Sequence, residues 1–210
     1  MRHMTPRGTE AKSNVAQLPL ESLRKFTPAE YRHLGELGVL TEDDRVELLE
    51  GWIVQKMIHN PQHDVTIELV DGALRKRLTP DCRIRVQCAI STEESEPEPD
   101  VAVVHGDPRE RAARHPFPKD VALLVEIADS SLEHDRGFKS QLYARAGISV
   151  YWIVNLVDGQ VEVYTEPTEP SGPGLSPFYK TSRIFGRGDQ VPLAIGDQAL
   201  GAIPVEEVLP

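Results

Sequence analysis

Cysteine is scarce in this chain: Cys82 and Cys88 are the only two. Two thiols around one predicted strand make neither a disulfide framework nor a zinc site, and they fit a cytoplasmic protein with structural thiols. Long apolar runs are missing, so no segment reaches the length of a membrane span. The first residues lack the charged-then-apolar order of a signal peptide. Positive charge is also short: 23 Lys and Arg against 33 Asp and Glu leave a net charge of −10. That balance argues against a surface that coats DNA through its phosphates. It is compatible with a site built from carboxylates, whose charge a bound metal ion offsets. The seven histidines show no paired zinc-ligand spacing. The absence of a P-loop and of a nucleophile elbow counts against a nucleoside triphosphatase and a serine hydrolase.

What is present suits one globular domain plus a tail: 210 residues, 40% hydrophobic and 27% charged. Residues 1–24 mix Pro, Gly, Ser, Asn and Gln without a period and carry a local excess of basic residues, which reads as a disordered arm. The folded domain is expected over residues 25–210. Thr27-Pro28-Ala29-Glu30 is a helix start that Gly38 would end. Arg45 to Met57 predicts a hairpin turning at Glu50-Gly51. Ile67, Val70, Leu74 and Leu78 place a helix from Pro61 to about Leu78. Strands follow at Arg83–Ile90, Val101–Val104 and Val121–Ala128, the last apolar enough to be buried on both faces. A helix from Arg136 to Ala146, a hairpin across Asp158-Gly159, a loop over Pro167–Pro177 and short strands after Arg183 complete the order. The fold class is α/β (α+β): a central mixed sheet flanked by helices.

Three residues break the pattern in ways that carry chemistry. Glu126 interrupts the apolar run Val121–Ala128, where a carboxylate is costly unless it is paired or bound to a cation. At about 100° per residue, Lys139 falls inside the apolar arc of Phe138, Leu142 and Ala146, and Asp135 joins it if the helix extends back that far. A lysine there needs a buried anion or a substrate, unless its ammonium snorkels to water. Asp100 abuts the strand that begins at Val101; the neighbouring Glu93, Glu94, Glu96 and Glu98 read as a solvated acidic loop. Two carboxylates on adjoining strands can hold Mg²⁺, and a lysine on the next helix can balance charge at a phosphate. Trp52 and Trp152 fall in predicted strands, which favours core packing over base stacking.

Pro99-Asp100, Glu126 and the displaced Lys139 resemble the PD-(D/E)XK nuclease superfamily. The chain is more closely similar to the Uma-two (Uma-type) restriction-endonuclease family, from about Phe26 to Val208. The likeness rests on Arg45-Val-Glu-Leu-Leu-Glu-Gly51, on Ser95 to Val104, on Leu124-Val-Glu-Ile-Ala-Asp-Ser-Ser131, and on Asp135 to Gly147 followed by Tyr151-Trp152. It implies a restriction-endonuclease-like core, Asp100 and Glu126 as ligands of Mg²⁺ or Mn²⁺, and Lys139 as the catalytic lysine. Glu47 matches a family glutamate and stands as a third acid; His63 matches a histidine opening the first core helix. Ala128 replaces the lysine of the parent pattern, so Lys139 must supply the charge from the helix. DNA is the implied substrate, and cutting both strands calls for a homodimer. Two rival readings keep the same residues: a noncatalytic nucleic-acid- or protein-binding module, and a different metal-dependent phosphoesterase. Because nearby carboxylates repel, Asp100→Asn is expected to leave the metal-free protein as stable or slightly more so.

Overall fold

The computed structural model describes residues 22–168, 172 and 175–210. The predicted disordered arm, apart from its last three residues, lies outside them. Helix α1 (Pro28–Glu36) starts as the sequence predicts, with a reciprocal capping box between Thr27 and Glu30. Strands β1 (Val46–Leu49) and β2 (Trp52–Gln55) form the expected hairpin. Its two turn residues, Glu50 and Gly51, both adopt positive φ (48° and 82°), the primed-turn geometry that matches strand twist. A Cβ on Gly51 would also come within 2.7 Å of Lys25 Cβ, so glycine is required there twice over.

Helix α2 (Pro61–Arg75) begins at Pro61 behind the Asn60 cap, which accepts a bond from the His63 amide at 3.0 Å. The main sheet has six strands in the order β3-β4-β5-β6-β7-β8: β3 (Cys82–Val86), β4 (Val101–His105), β5 (Val121–Ala128), β6 (Val150–Asn155), β7 (Gln160–Thr168) and β8 (Phe178–Gly186). All neighbouring pairs are antiparallel except β5–β6. A parallel pair needs a crossover, and a helical run supplies it: α3 (Leu132–His134), a π-helical turn (Asp135–Lys139) and α4 (Ser140–Arg145).

The sheet is covered on both faces, as the apolar run of β5 requires: every residue of β5 is buried. On one face, Ile67, Val70 and Leu74 of α2 pack with Val101, Val103 and Val125. The hairpin of β9 (Gln190–Ile195) and β10 (Gln198–Pro204) joins the same core through Val191, Leu193 and Ile203. On the other face, Leu142, Tyr143 and Ala144 of α4 pack with Ala102, Leu124 and Ile153. The mixed sheet flanked by helices is therefore the architecture expected.

Several boundaries move. β3 stops at Val86 rather than Ile90, because Gln87 turns to positive φ (49°) and leaves the extended region. The helix predicted from Arg136 starts at Leu132 instead. β7 continues through Pro167 and Thr168, which pair with Tyr179 and Phe178, so the strand takes in the first two residues of the predicted loop. β8 is already under way before Arg183, and at nine residues it is not short.

Candidate active site

The register of the sheet creates the centre of the site. Val101 pairs with Val125, which sets Asp100 across from Glu126 on the same face. The Asp100 amide donates to Glu126 Oε2 at 3.4 Å, and the Ile127 amide donates to Asp100 Oδ2 at 2.8 Å. The π turn lies over these strands and brings Lys139 Nζ to 3.0 Å from Glu126 Oε1. The same ammonium lies 3.9 Å from Oε1 of Glu47 on β1. His63, in the first turn of α2, faces Asp100 Oδ2 through Nε2 at 3.2 Å. Asp100, Glu126, Lys139, Glu47 and His63 thus come together from five separate segments, and none is more than 9% exposed.

Two further groups enter the site. Asp135 is 3% exposed in the π turn and accepts from Ser131 Oγ at 2.6 Å. Its position in the apolar arc was a usable sequence signal, once the helix begins early enough to include it. Tyr143, one turn beyond Lys139, donates to Glu126 Oε1 at 2.6 Å; its amphipathic position looks like core packing, so nothing in the sequence marked it. The acidic loop differs from its sequence reading. Glu96 is buried, accepts from Ser91 Oγ at 2.7 Å and pairs with Arg32, while its amide bonds to Leu48 and so fixes the loop along β1. Glu98 pairs with Lys56, and its amide donates to Glu47 Oε2 at 3.0 Å. Trp152 is core, as expected, whereas Trp52 is only half-buried.

Electrostatics separates the acids by environment. Burial pushes the Glu126 carboxyl up to about 8; Lys139 and the Tyr143 bond pull it down, while Asp100 and Asp135 raise it further. Burial also raises Asp135, to about 6, against the opposing pull of Lys139 and Ser131. Asp100 meets the same burial penalty, but the bond and charge of His63, the Ile127 amide and Lys139 hold it below the usual carboxylate range. Burial disfavours charge on Lys139, yet Glu126, Glu47, Asp135 and Asp100 together keep its ammonium above its ordinary pKa. Burial likewise opposes charge on His63, and Asp100, together with Asp64 and Asp135, more than compensates.

Glu47, His63, Asp100, Glu126, Asp135 and Lys139 line a cavity of ≈ 660 Å³. Trp52, Met57, Ile58 and Phe138 supply apolar wall, and Arg45, Glu98, Asp129 and His134 add polar groups. Arg136 fixes the π turn from outside: it makes a forked bond to Glu162 of β7, with its closest contact 2.6 Å, and Asn155 and Tyr164 bond the same carboxylate at 2.8 Å. A π turn is uncommon, and it concentrates at functional sites because it re-aims side chains within a helix. Among the described residues no helix is long and apolar enough to cross a membrane.

A solved structure described as "a putative nuclease belonging to DUF820 from Anabaena variabilis ATCC 29413" has the same fold, with a TM-score of 0.60, 15% sequence identity, and coverage of 82% of this chain and 94% of that chain. No curated protein matches the sequence. The model of the Uma2 family, described as "Putative restriction endonuclease", matches residues 28–199. That span holds most of the chain and every residue of the cavity, and the chain belongs to the Uma2 family.

Proposed function

We propose that this protein is a metal-dependent DNA endonuclease, with residues 25–210 as its nuclease domain. The observation that carries the reading is the convergence of Glu47, Asp100, Glu126 and Lys139 on one cavity. Their donor chemistry fits Mg²⁺ or Mn²⁺. Asp100, Glu126 and Glu47 offer carboxylate oxygens, the ligands a hard cation prefers. Both hydrogen bonds to the Asp100 carboxylate use Oδ2, and both strong bonds to Glu126 use Oε1. Asp100 and Glu126, with Glu47, would hold the ion. Burial raises Glu126 even beside Lys139, so a cation bound there would favour its ionised form.

Bound there, the ion would polarise the phosphodiester and acidify a water. The protein's own groups do the positioning. His63 and the Ile127 amide fix the Asp100 carboxylate, and Tyr143 and Lys139 fix Glu126. The Lys139 ammonium, held charged by its acidic neighbours, stabilises negative charge as it grows on the phosphate. Glu47, His63, Asp100, Glu126 and Lys139 are themselves at most 9% exposed, which strengthens each of these interactions. Cutting both strands of a duplex needs two sites, so we propose a homodimer. The free Cys82 and Cys88 suit a cytoplasmic location.

Incubation with plasmid and single-stranded DNA, with Mg²⁺ or Mn²⁺ and then with chelator, tests the reading. Wild type should cut only with metal. Glu126→Gln should lose both cutting and the metal-induced rise in melting temperature, whereas Lys139→Ala should keep the rise and lose the cutting. The net charge of −10 favours the alternative of a noncatalytic module on the same fold. Absence of cleavage and of any metal shift, with a short duplex present, would leave that alternative standing.

A further inference from the structure

A second group of metal-ligating side chains lies away from the cavity. Asp100 immediately precedes β4 and His105 ends it, so the two are separated by roughly 16 Å of strand. The β3–β4 register pairs Cys82 with His105 and places both on one face. Cys82 Sγ is 3.9 Å from His105 Nδ1, and the same nitrogen is 4.0 Å from Asp81 Oδ2. One donor atom from each of the three residues lies within 4.8 Å of the others. Ligands around a tetrahedral zinc ion, at its usual bond lengths, sit roughly 3.3–3.6 Å apart. The two separations from His105 Nδ1 exceed that by about half an ångström, within reach of small rotamer changes.

The surroundings hold the donors in place. Thr79 Oγ1 donates to Asp81 Oδ1, leaving Oδ2 as the oxygen that faces His105. The Gly106 amide donates to the Asp81 carbonyl at 3.0 Å and ties the two strand ends together. An outer hydrogen bond of the Thr79 kind orients a ligating carboxylate. Cys82 is buried, while the Asp81 and His105 side chains are 70% and 44% exposed, so an ion has an entry path and water has a fourth position. Spacing along the chain conceals the group, because Cys82 and His105 are 23 residues apart.

We propose that Asp81, Cys82 and His105 form a binding site for a zinc-type divalent transition metal, separate from the cavity. One thiolate, one imidazole and one carboxylate are the mixed donor set such an ion selects over Mg²⁺. On binding, the Cys82 thiol releases its proton to solvent and its sulfur bonds the metal; nothing is oxidised or reduced. The ion would staple the turn after α2 to the far end of β4, bracing the helix whose other end carries His63. This inference does not depend on the nuclease reading.

Cobalt(II) titrated into the metal-free, untagged full chain is the test, since cobalt is a spectroscopic stand-in for zinc. The expected result is a thiolate-to-cobalt charge-transfer band with tetrahedral d–d bands, saturating at one equivalent. The bands should persist in Cys88→Ser and Glu126→Gln, disappear in Cys82→Ser, and be displaced by Zn²⁺ but not by Mg²⁺. Asp81→Asn changes an exposed side chain and should weaken cobalt binding about tenfold or more with the fold intact by circular dichroism. Absence of the thiolate band, its dependence on Cys88 instead of Cys82, or an unchanged affinity in Asp81→Asn would overturn the proposal.

Discussion

Glu126→Gln gives the sharpest test of the site's electrostatics, because it removes one charge and almost no volume. The amide oxygen of the introduced glutamine can still accept from Lys139 and Tyr143, which in wild type meet Glu126 Oε1. In wild type the folded carboxyl is pushed up to about 8 from an ordinary value of 4.5. A raised folded pKa means that the native state holds a proton that the unfolded chain has released. Its stabilising contribution is complete below the unfolded pKa and is lost as pH rises through the folded one. Each pH unit of that window is worth about 1.4 kcal/mol. Integrated from pH 6 to the folded pKa of about 8, the metal-free protein should lose about 2 kcal/mol from this residue alone. Asp135, raised to about 6, adds only a few tenths over the same range. That loss is a large share of a typical folding free energy of about 5–15 kcal/mol. Urea denaturation in chelator across this range should show wild type weakening and Glu126→Gln nearly level. Equal slopes for the two proteins would refute the assignment of the shift to Glu126.

Asp100→Asn replaces a carboxylate whose Oδ2 accepts from the Ile127 amide and faces His63. Contrary to the expectation from carboxylate repulsion, it should lower stability by about 1–3 kcal/mol as well as abolish cutting; an unchanged melting curve would contradict the hydrogen-bonding role. Because Asp100 is held below the usual range, its contribution is present above the unfolded pKa and fades as pH falls through the folded one, which acid titration of the same pair of proteins checks. Tyr143→Phe removes a donor that lowers Glu126, so the acid limb of the pH–rate profile should move to higher pH; a limb that stays in place removes Glu126 from the kinetic ionisation. Arg136→Ala strands the buried Glu162 carboxylate, now held at about 2, and should cost about 3 kcal/mol in denaturation experiments. Activity should fall with it, since the π turn loses its anchor on β7.

Much of the molecule can be read from local pattern. Alternating or continuous apolar runs identify the strands, and Thr27, Asn60 and Gly51 mark boundaries through short-range chemistry that needs no distant contact. Glu126 and Lys139 are conspicuous because charge inside an apolar periodicity is costly, and that cost can be seen without a structure. Asp100 is legible only by its place at the entrance to β4. The acidic loop is not legible at all. Glu93 to Glu98 looks uniformly solvated, yet Glu96 is buried and paired with Ser91 and Arg32, because its backbone bridges to Leu48 on a hairpin nearly fifty residues earlier.

The sequence by itself determined the types of element, the sandwiched sheet and the identity of the costly charged residues, since each follows from propensity and burial within a short window. Tertiary structure alone decided what those charges face. The register of β4 on β5 sets Asp100 against Glu126, the π turn aims Lys139 at both Glu126 and Glu47, and α2 delivers His63 to Asp100. The same long-range pairing sets Cys82 beside His105. Strand register and helix docking come from the summed packing of both sheet faces. A one-residue slip would preserve every local pattern, yet turn strand-borne groups such as Glu126 and Cys82 to the opposite face.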